Sequence, residues 1–179
     1  MSKKTSKKTV KAAVASLIAV GALAATAGPA LAQSARPAAA RPAPCTASAL
    51  KFEAGTVSRP INHVLIKATN TSKKTCDFSA ETYPLLRLHK DQQAVTPVVD
   101  GSEPQAVVTL APGETAYAGL TLSAADSSEK GFKTGSIEVA VAKDVALKSV
   151  TVKGGPVFIQ PGAAKVTYWQ DNPADALVW

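Results

Sequence analysis

From residue 45 onward the chain consists of short runs in which apolar and polar residues alternate, and a period of two confines such a chain to β-structure. In "HVLIKATN" the alternation puts Val64, Ile66 and Ala68 on one face and Leu65 and Lys67 on the other. "TAYAGLTLS" aligns Ala116, Ala118, Leu120 and Leu122, and "SIEVAVAK" aligns Ile137, Val139 and Val141. Further strands are expected in "VTVK", "PVFIQ" and "KVTYW". The runs are separated by turn chemistry, "VDGSEP", "APGE" and "KGGP". In "APGE", Pro112 and Gly113 suit the central positions of a type II turn, which predicts a hairpin between "AVVTL" and "TAYAGLTL". Helix is confined to a turn or two in "SAADSSEKGF", with Ser123 as its cap. Roughly seven to nine short strands with frequent turns and no helix-length repeat predict an all-β fold, an immunoglobulin-like antiparallel β-sandwich.

Two cysteines, Cys45 and Cys76, are too few for a metal cluster, and an even number suits a bond. In an oxidising compartment they are expected to pair, pinning the first strand to the sheet. A reactive thiol, a redox switch or a metal ligand are the alternatives.

The destination is read from the first residues. "MSKKTSKKTVK" carries five lysines and no acid, then runs into an apolar stretch and "PALA". This pattern reads as a secretory signal peptide over residues 1–32, with Ala30 and Ala32 preceding the cleavage point. As a helix, Ala12 to Ala27 would be about 24 Å long, short of the roughly 30 Å hydrocarbon core, so no membrane span is expected after cleavage. No cysteine follows the cut to carry lipid, and no twin arginine marks export of a folded protein. Residues 33–44, "QSARPAAARPAP", read as a disordered Ala/Pro-rich spacer, leaving residues 45–179 as a single domain.

Removing residues 1–32 takes five of the 20 basic residues and none of the 13 acidic ones, so the balance falls from +7 to 15 − 13 = +2. The basic excess therefore belongs mostly to the leader, and no nucleic acid is expected as a partner.

The stretches "PCTASALKFEAG", "HVLIKATNTSKKTCDFSAETYPLLRL" and "VVTLAPGETAYAGLTL" resemble a family of secreted actinobacterial proteins known as domain of unknown function 4232. The matching positions are Cys45, Thr69, Asn70, Thr71, Cys76, Tyr83, Pro84, Leu110, Pro112 and Gly113, with Thr82 where the family pattern expects glycine. The resemblance covers about residues 45–160 and implies a disulfide-linked β-sandwich with no established activity. Asn70 and Thr71 can also close a turn through local hydrogen bonds, and Pro84 holds Tyr83 extended.

No catalytic constellation emerges. Ser127 and Lys130 spell S-x-x-K, and Lys133, Thr134 and Gly135 spell K-T-G, two signatures of penicillin-recognising enzymes. In those enzymes the motifs lie far apart in a larger fold, and here they nearly touch. His63 and His89 lack the spacing of a copper or zinc site, so neither metal nor cofactor is expected. In "KVTYWQ" the alternation sends Tyr168 and Trp169 to opposite faces, one into the core and one outward. Asn70, Tyr83 and Trp169 are the candidate ligand contacts, the last because an exposed tryptophan can stack on a sugar ring. The apolar end of "QDNPADALVW" suggests that Trp179 docks on the domain or on a partner.

These features favour a non-enzymatic module, secreted or held in the cell envelope, that binds an extracellular protein or a cell-wall polysaccharide. A secreted protease inhibitor presenting "VDGSEPQ" is the first alternative, and a small hydrolase the second.

Overall fold

In the computed structural model, which describes residues 41–79, 81–88, 93–95, 98–142 and 145–179, the alternating runs are strands. They are β1 (Ala43–Pro44), β2 (Leu50–Thr56), β3 (His63–Asn70), β4 (Cys76–Phe78), β5 (Leu85–Leu88), β6 (Gln93–Val95) and β7 (Val108–Leu110). The chain continues through β8 (Thr115–Thr121), β9 (Phe132–Thr134), β10 (Ser136–Ala140), β11 (Lys148–Lys153), β12 (Val157–Ile159) and β13 (Lys165–Val166). The inward sets expected from the alternation on β3, β8 and β10 are buried throughout. The strands exceed the expected number because many are only two or three residues long.

Eight strands form one sheet in the order β13-β8-β3-β2-β11-β10-β5-β6, and a smaller sheet has the order β1-β4-β7. β9 and β12 pair separately. Pairing is antiparallel except at β1–β4 and β2–β11, so the sheets are mixed where a purely antiparallel arrangement was expected. Cys76 and Phe78 of β4 and Val108 and Leu110 of β7 share one hydrophobic core with the inner face of the large sheet, a sandwich-like arrangement. Trp169 lies between the two, its ring 6.3 Å from Phe52 of β2 and 5.1 Å from Phe78 of β4.

The disulfide joins Cys45 to Cys76. Beside it the Cys45 N–H donates to the Asp77 carbonyl at 2.9 Å, so the start of the domain is held to β4 by a covalent link and a backbone bond together. The last two residues of the expected spacer, Ala43 and Pro44, are already paired as β1. The expected leader and residues 33–40 of the spacer lie outside the described residues, as does His89.

Two local expectations change. The "APGE" turn forms as anticipated, with the Glu114 N–H on the Ala111 carbonyl at 3.0 Å and Gly113 at φ 88°. It does not close a hairpin, because β7 belongs to the small sheet and β8 to the large one. The reason is the end of β3, which sits inside the turn: the Asn70 N–H donates to the Glu114 carbonyl at 2.8 Å and the Asn70 carbonyl accepts from Gly113 at 2.7 Å. The segment after Ser123 is a loop rather than helix. Its carbonyls at Ser127 and Glu129 accept from the Gln160 side chain at 3.2 and 2.9 Å, and Ser127 Oγ accepts the Glu129 N–H.

Among the described residues the one helical element is a 3-10 turn at Asp175–Leu177, and no helix is long and apolar enough to cross a membrane.

Candidate functional site

A concavity of about 770 Å³ lies between the loop running from Gly101 into β7 and the C-terminal segment Gln170–Trp179. "VDGSEPQ" and "QDNPADALVW" are separated by some sixty residues of sheet, so their meeting is purely tertiary. Buried Ser102 joins them. Its N–H and Oγ both donate to the Val99 carbonyl, at 3.2 and 2.7 Å, forming a tight turn that presents the loop. Ser102 Oγ also accepts the Tyr168 N–H at 3.3 Å, and the Ser102 carbonyl accepts from the Gln170 side chain.

The opposite wall is seated on the outer face of β8. The outward position there is Gly119, and a side chain at that point would stand 1.9 Å from the Ala176 carbonyl oxygen. Only glycine allows the segment to lie flat on the sheet. Its end is held by His63, whose Nε2 lies 3.2 Å from the Trp179 carbonyl oxygen, with Nδ1 2.7 Å from the Ile61 carbonyl. The Trp179 ring crosses Gly101, closing one end of the cleft against the loop.

Charge in the cleft has one sign. Among the described residues the ionisable side chains lining it are Glu103, Asp171 and Asp175, with no lysine or arginine beside them. Behind the loop, burial first and then the charge of Glu103, with further contributions from Tyr83, Glu81 and Asp100, push the Tyr168 phenol above its ordinary value. The rim is apolar: Val178 is 68 % exposed, Trp179 47 % and Val107 43 %. On the large sheet, by contrast, Glu53 is held below the usual carboxylate range by the hydrogen bond and charge of Lys153, with Lys51 adding to it.

Of the three residues expected to contact ligand, the structure removes two. Trp169 is 1 % exposed, and its Nε1–H donates to the Val141 carbonyl at 3.0 Å, so the alternation in "KVTYW" sends tryptophan inward and leaves Tyr168 half-buried. Asn70 has no exposed surface. Its Nδ2 donates to the Lys74 and Leu110 carbonyls at 2.8 and 2.9 Å, and its Oδ1 accepts from the Ser72 N–H and Oγ at 3.0 and 2.8 Å. Asn70 therefore ties β3, the turn after it and β7 together. Asn70→Ala is expected to destabilise the fold by about 2–3 kcal/mol, since it removes the two bonds donated to the Lys74 and Leu110 carbonyls, the second of them buried, and the two accepted from Ser72. Asn70→Asp, which cannot donate and brings in a charge, is expected to cost at least as much in a urea titration, whereas an Asn70 serving a ligand would leave the midpoint unmoved.

Tyr83 keeps accessible surface, and its ring packs edge-on against Tyr168 at 5.5 Å. Thr82, where glycine was expected, needs no positive φ and closes a turn with its N–H on the Ser79 carbonyl. The S-x-x-K and K-T-G pieces fall on a loop and on β9, where Thr134 Oγ1 donates to the Ser136 carbonyl. The residues that build the cleft were each visible as turn or tail, but Ser102, Gly119 and Gln170 carry no sequence signal of their role.

Compared with known protein families, residues 45–170 match the one described as Domain of unknown function (DUF4232). The match runs from the first half-cystine to Gln170, so the C-terminal wall of the cleft, Asp171–Trp179, lies beyond it. No curated protein and no solved structure matches the chain. With about 70 % of its length matched and the disulfide-linked all-β fold in place, the chain belongs to the DUF4232 family.

Proposed function

We propose that this protein is an exported, non-catalytic binding module of the cell envelope or extracellular space, and that it engages an extracellular protein or a cell-wall polysaccharide through the cleft. The observation that carries this reading is how the cleft is built. Two walls from distant parts of the chain are locked to each other through Ser102 and seated over Gly119, yet large apolar side chains remain exposed on the rim. A preformed concavity of this kind loses little entropy on binding. A binding role rather than chemistry is supported by the buried polar side chains. Asn70, Ser102, Gln160, Thr167 and Gln170 all have main-chain groups as hydrogen-bond partners. Export is supported by the lysine-rich, then apolar N-terminus and by a disulfide that suits an oxidising compartment.

The test is co-sedimentation with purified cell walls and capture of secreted proteins, comparing the wild type with Trp179→Ala combined with Val107→Ser. Both positions are exposed, so the thermal midpoint should hold while retention falls about tenfold. Equal retention by both proteins, or none by the wild type, defeats the reading.

A second reading, protease inhibition, draws on one feature: Glu103–Val107 is a largely exposed stretch held between Ser102 and β7. Secreted serine proteases retaining full activity at stoichiometric amounts of the protein would dispose of it.

A further inference from the structure

Resting on the cleft as the binding site, we propose that its occupant is an extended, lysine- or arginine-bearing peptide segment of another protein, which adds to the free edge of β7 as a fourth strand of the small sheet.

The edge itself is the first ground. The small sheet ends at β7. Because the Asp77 carbonyl accepts from Cys45, the peptide groups of Asp77 face β1, and those of Cys76 and Phe78 on either side face β7. The register pairs Cys76 with Leu110 and Phe78 with Val108, so these are the hydrogen-bonded pairs. Thr109, opposite Asp77, is left with its N–H and C=O turned away from β4, toward the cleft that Val108 and Thr109 line. The Thr109 side chain is engaged elsewhere, its Oγ1 donating to Asp77 Oδ1 at 2.7 Å. Among the described residues no hydrogen bond holds the outward main-chain groups of Thr109. A donor and an acceptor on one residue, at the edge of a sheet and inside a concavity, fit an incoming strand.

Charge complementarity selects which strand. Glu103 stands on the loop wall and Asp171 and Asp175 on the other, so a strand lying between the walls meets carboxylates from both sides. An acidic peptide would be repelled there and a basic one steered in. Side chains on a strand alternate, so every second residue of the incoming segment can reach a carboxylate while its neighbours rest on Val107, Val178 and Trp179, which are exposed on the rim. Both kinds of contact are present over the short length of edge that β7 offers.

The probe is a blocked peptide of alternating lysine and valine, seven residues long, with the glutamate-for-lysine peptide as its counterpart. The lysine peptide should bind the purified protein at least about tenfold more tightly than the glutamate peptide, and more weakly as salt is raised. Binding should slow hydrogen exchange at the Thr109 amide. Thr109→Pro removes the outward N–H while keeping the main-chain bonds to β4, and should weaken binding about tenfold, whereas Thr109→Val, which loses the same Oγ1 bond to Asp77 but retains the N–H, should bind like the wild type. The triple variant Glu103→Gln, Asp171→Asn, Asp175→Asn keeps the edge and should lose the preference for lysine, which serves even if the proline variant fails to fold. No binding of the lysine peptide, binding without slowed exchange at Thr109, or a preference that survives the triple variant each overturns the proposal. Wall material that still sediments the protein in a Trp179-dependent way, with no lysine-peptide binding, would sink this inference alone. Loss of both would sink the cleft as a binding site.

Discussion

Replacing Cys45 and Cys76 together by alanine is expected to lower the unfolding free energy by about 3.5–4 kcal/mol, a large share of the roughly 5–15 kcal/mol typical of a domain. The cysteines are 31 positions apart, and the loop they close contains β2 and β3, two adjacent strands in the middle of the large sheet. Without the link the unfolded chain gains the freedom to separate those ends. The folded state then holds its leading edge through the short β1–β4 pairing, the bond from the Thr71 N–H to the Ala49 carbonyl and the packing of Ala47 in the core. A urea titration of oxidised and alanine proteins measures this as a lower midpoint. Reduction of the wild type should give the same shift, since both treatments remove the same constraint. A loss under about 1 kcal/mol would mean that β1 and the following residues are held by packing alone.

Trp169→Ala is expected to destabilise by about 3–5 kcal/mol, the cost of emptying the largest fully buried side chain of the described core. The indole touches Phe52 on the large sheet and Phe78 on the small one, so the cavity would open between the layers, where neither can close it alone. Trp169→Phe separates the two contributions: it keeps much of the packing but leaves the Val141 carbonyl without its donor, for about 1–3 kcal/mol. Tyr168 and Gln170, on either side of Trp169 in the chain, are the residues bonded to Ser102. The alanine variant should therefore also loosen the cleft, read as faster hydrogen exchange at Tyr168 than at the core amides of β3. Exchange that rises equally everywhere would show that the tryptophan supports the fold without any special tie to the cleft.

Much of the architecture is legible in the chain because it is set locally. Period two in "HVLIKATN" and "TAYAGLTLS" names the buried residues without reference to any partner strand, since successive side chains must point to opposite faces. "APGE" names its turn because proline presets one φ and glycine permits the other. That the turn joins two sheets and not two neighbouring strands depended on the end of β3 lodging in it, a contact made across some forty residues. The reading of Asn70 shows the same division. Its side chain was recognisable as a turn-closing group, but that it would also reach Leu110 and lose all exposure depended on β7 arriving beside it. The order of the strands, including the parallel pair β2–β11, carries no comparable local mark.

The candidate site lies on the non-local side of this division. The loop at Ser102 and the tail ending at Trp179 each showed as an interruption of the strand pattern, and nothing in either stretch announces the other. What the amino-acid sequence determined by itself was the class of fold, the inward faces, the turn positions and the pair of cysteines available to link, because each follows from the stereochemistry of a few adjacent residues. What only the tertiary structure decided was which sheet each strand joined, that Trp169 and Asn70 became interior supports, and that two distant segments enclose an acidic cleft beside a free strand edge. Those outcomes depend on which surfaces meet after folding, and a surface is assembled from residues that are neighbours in space and strangers along the chain.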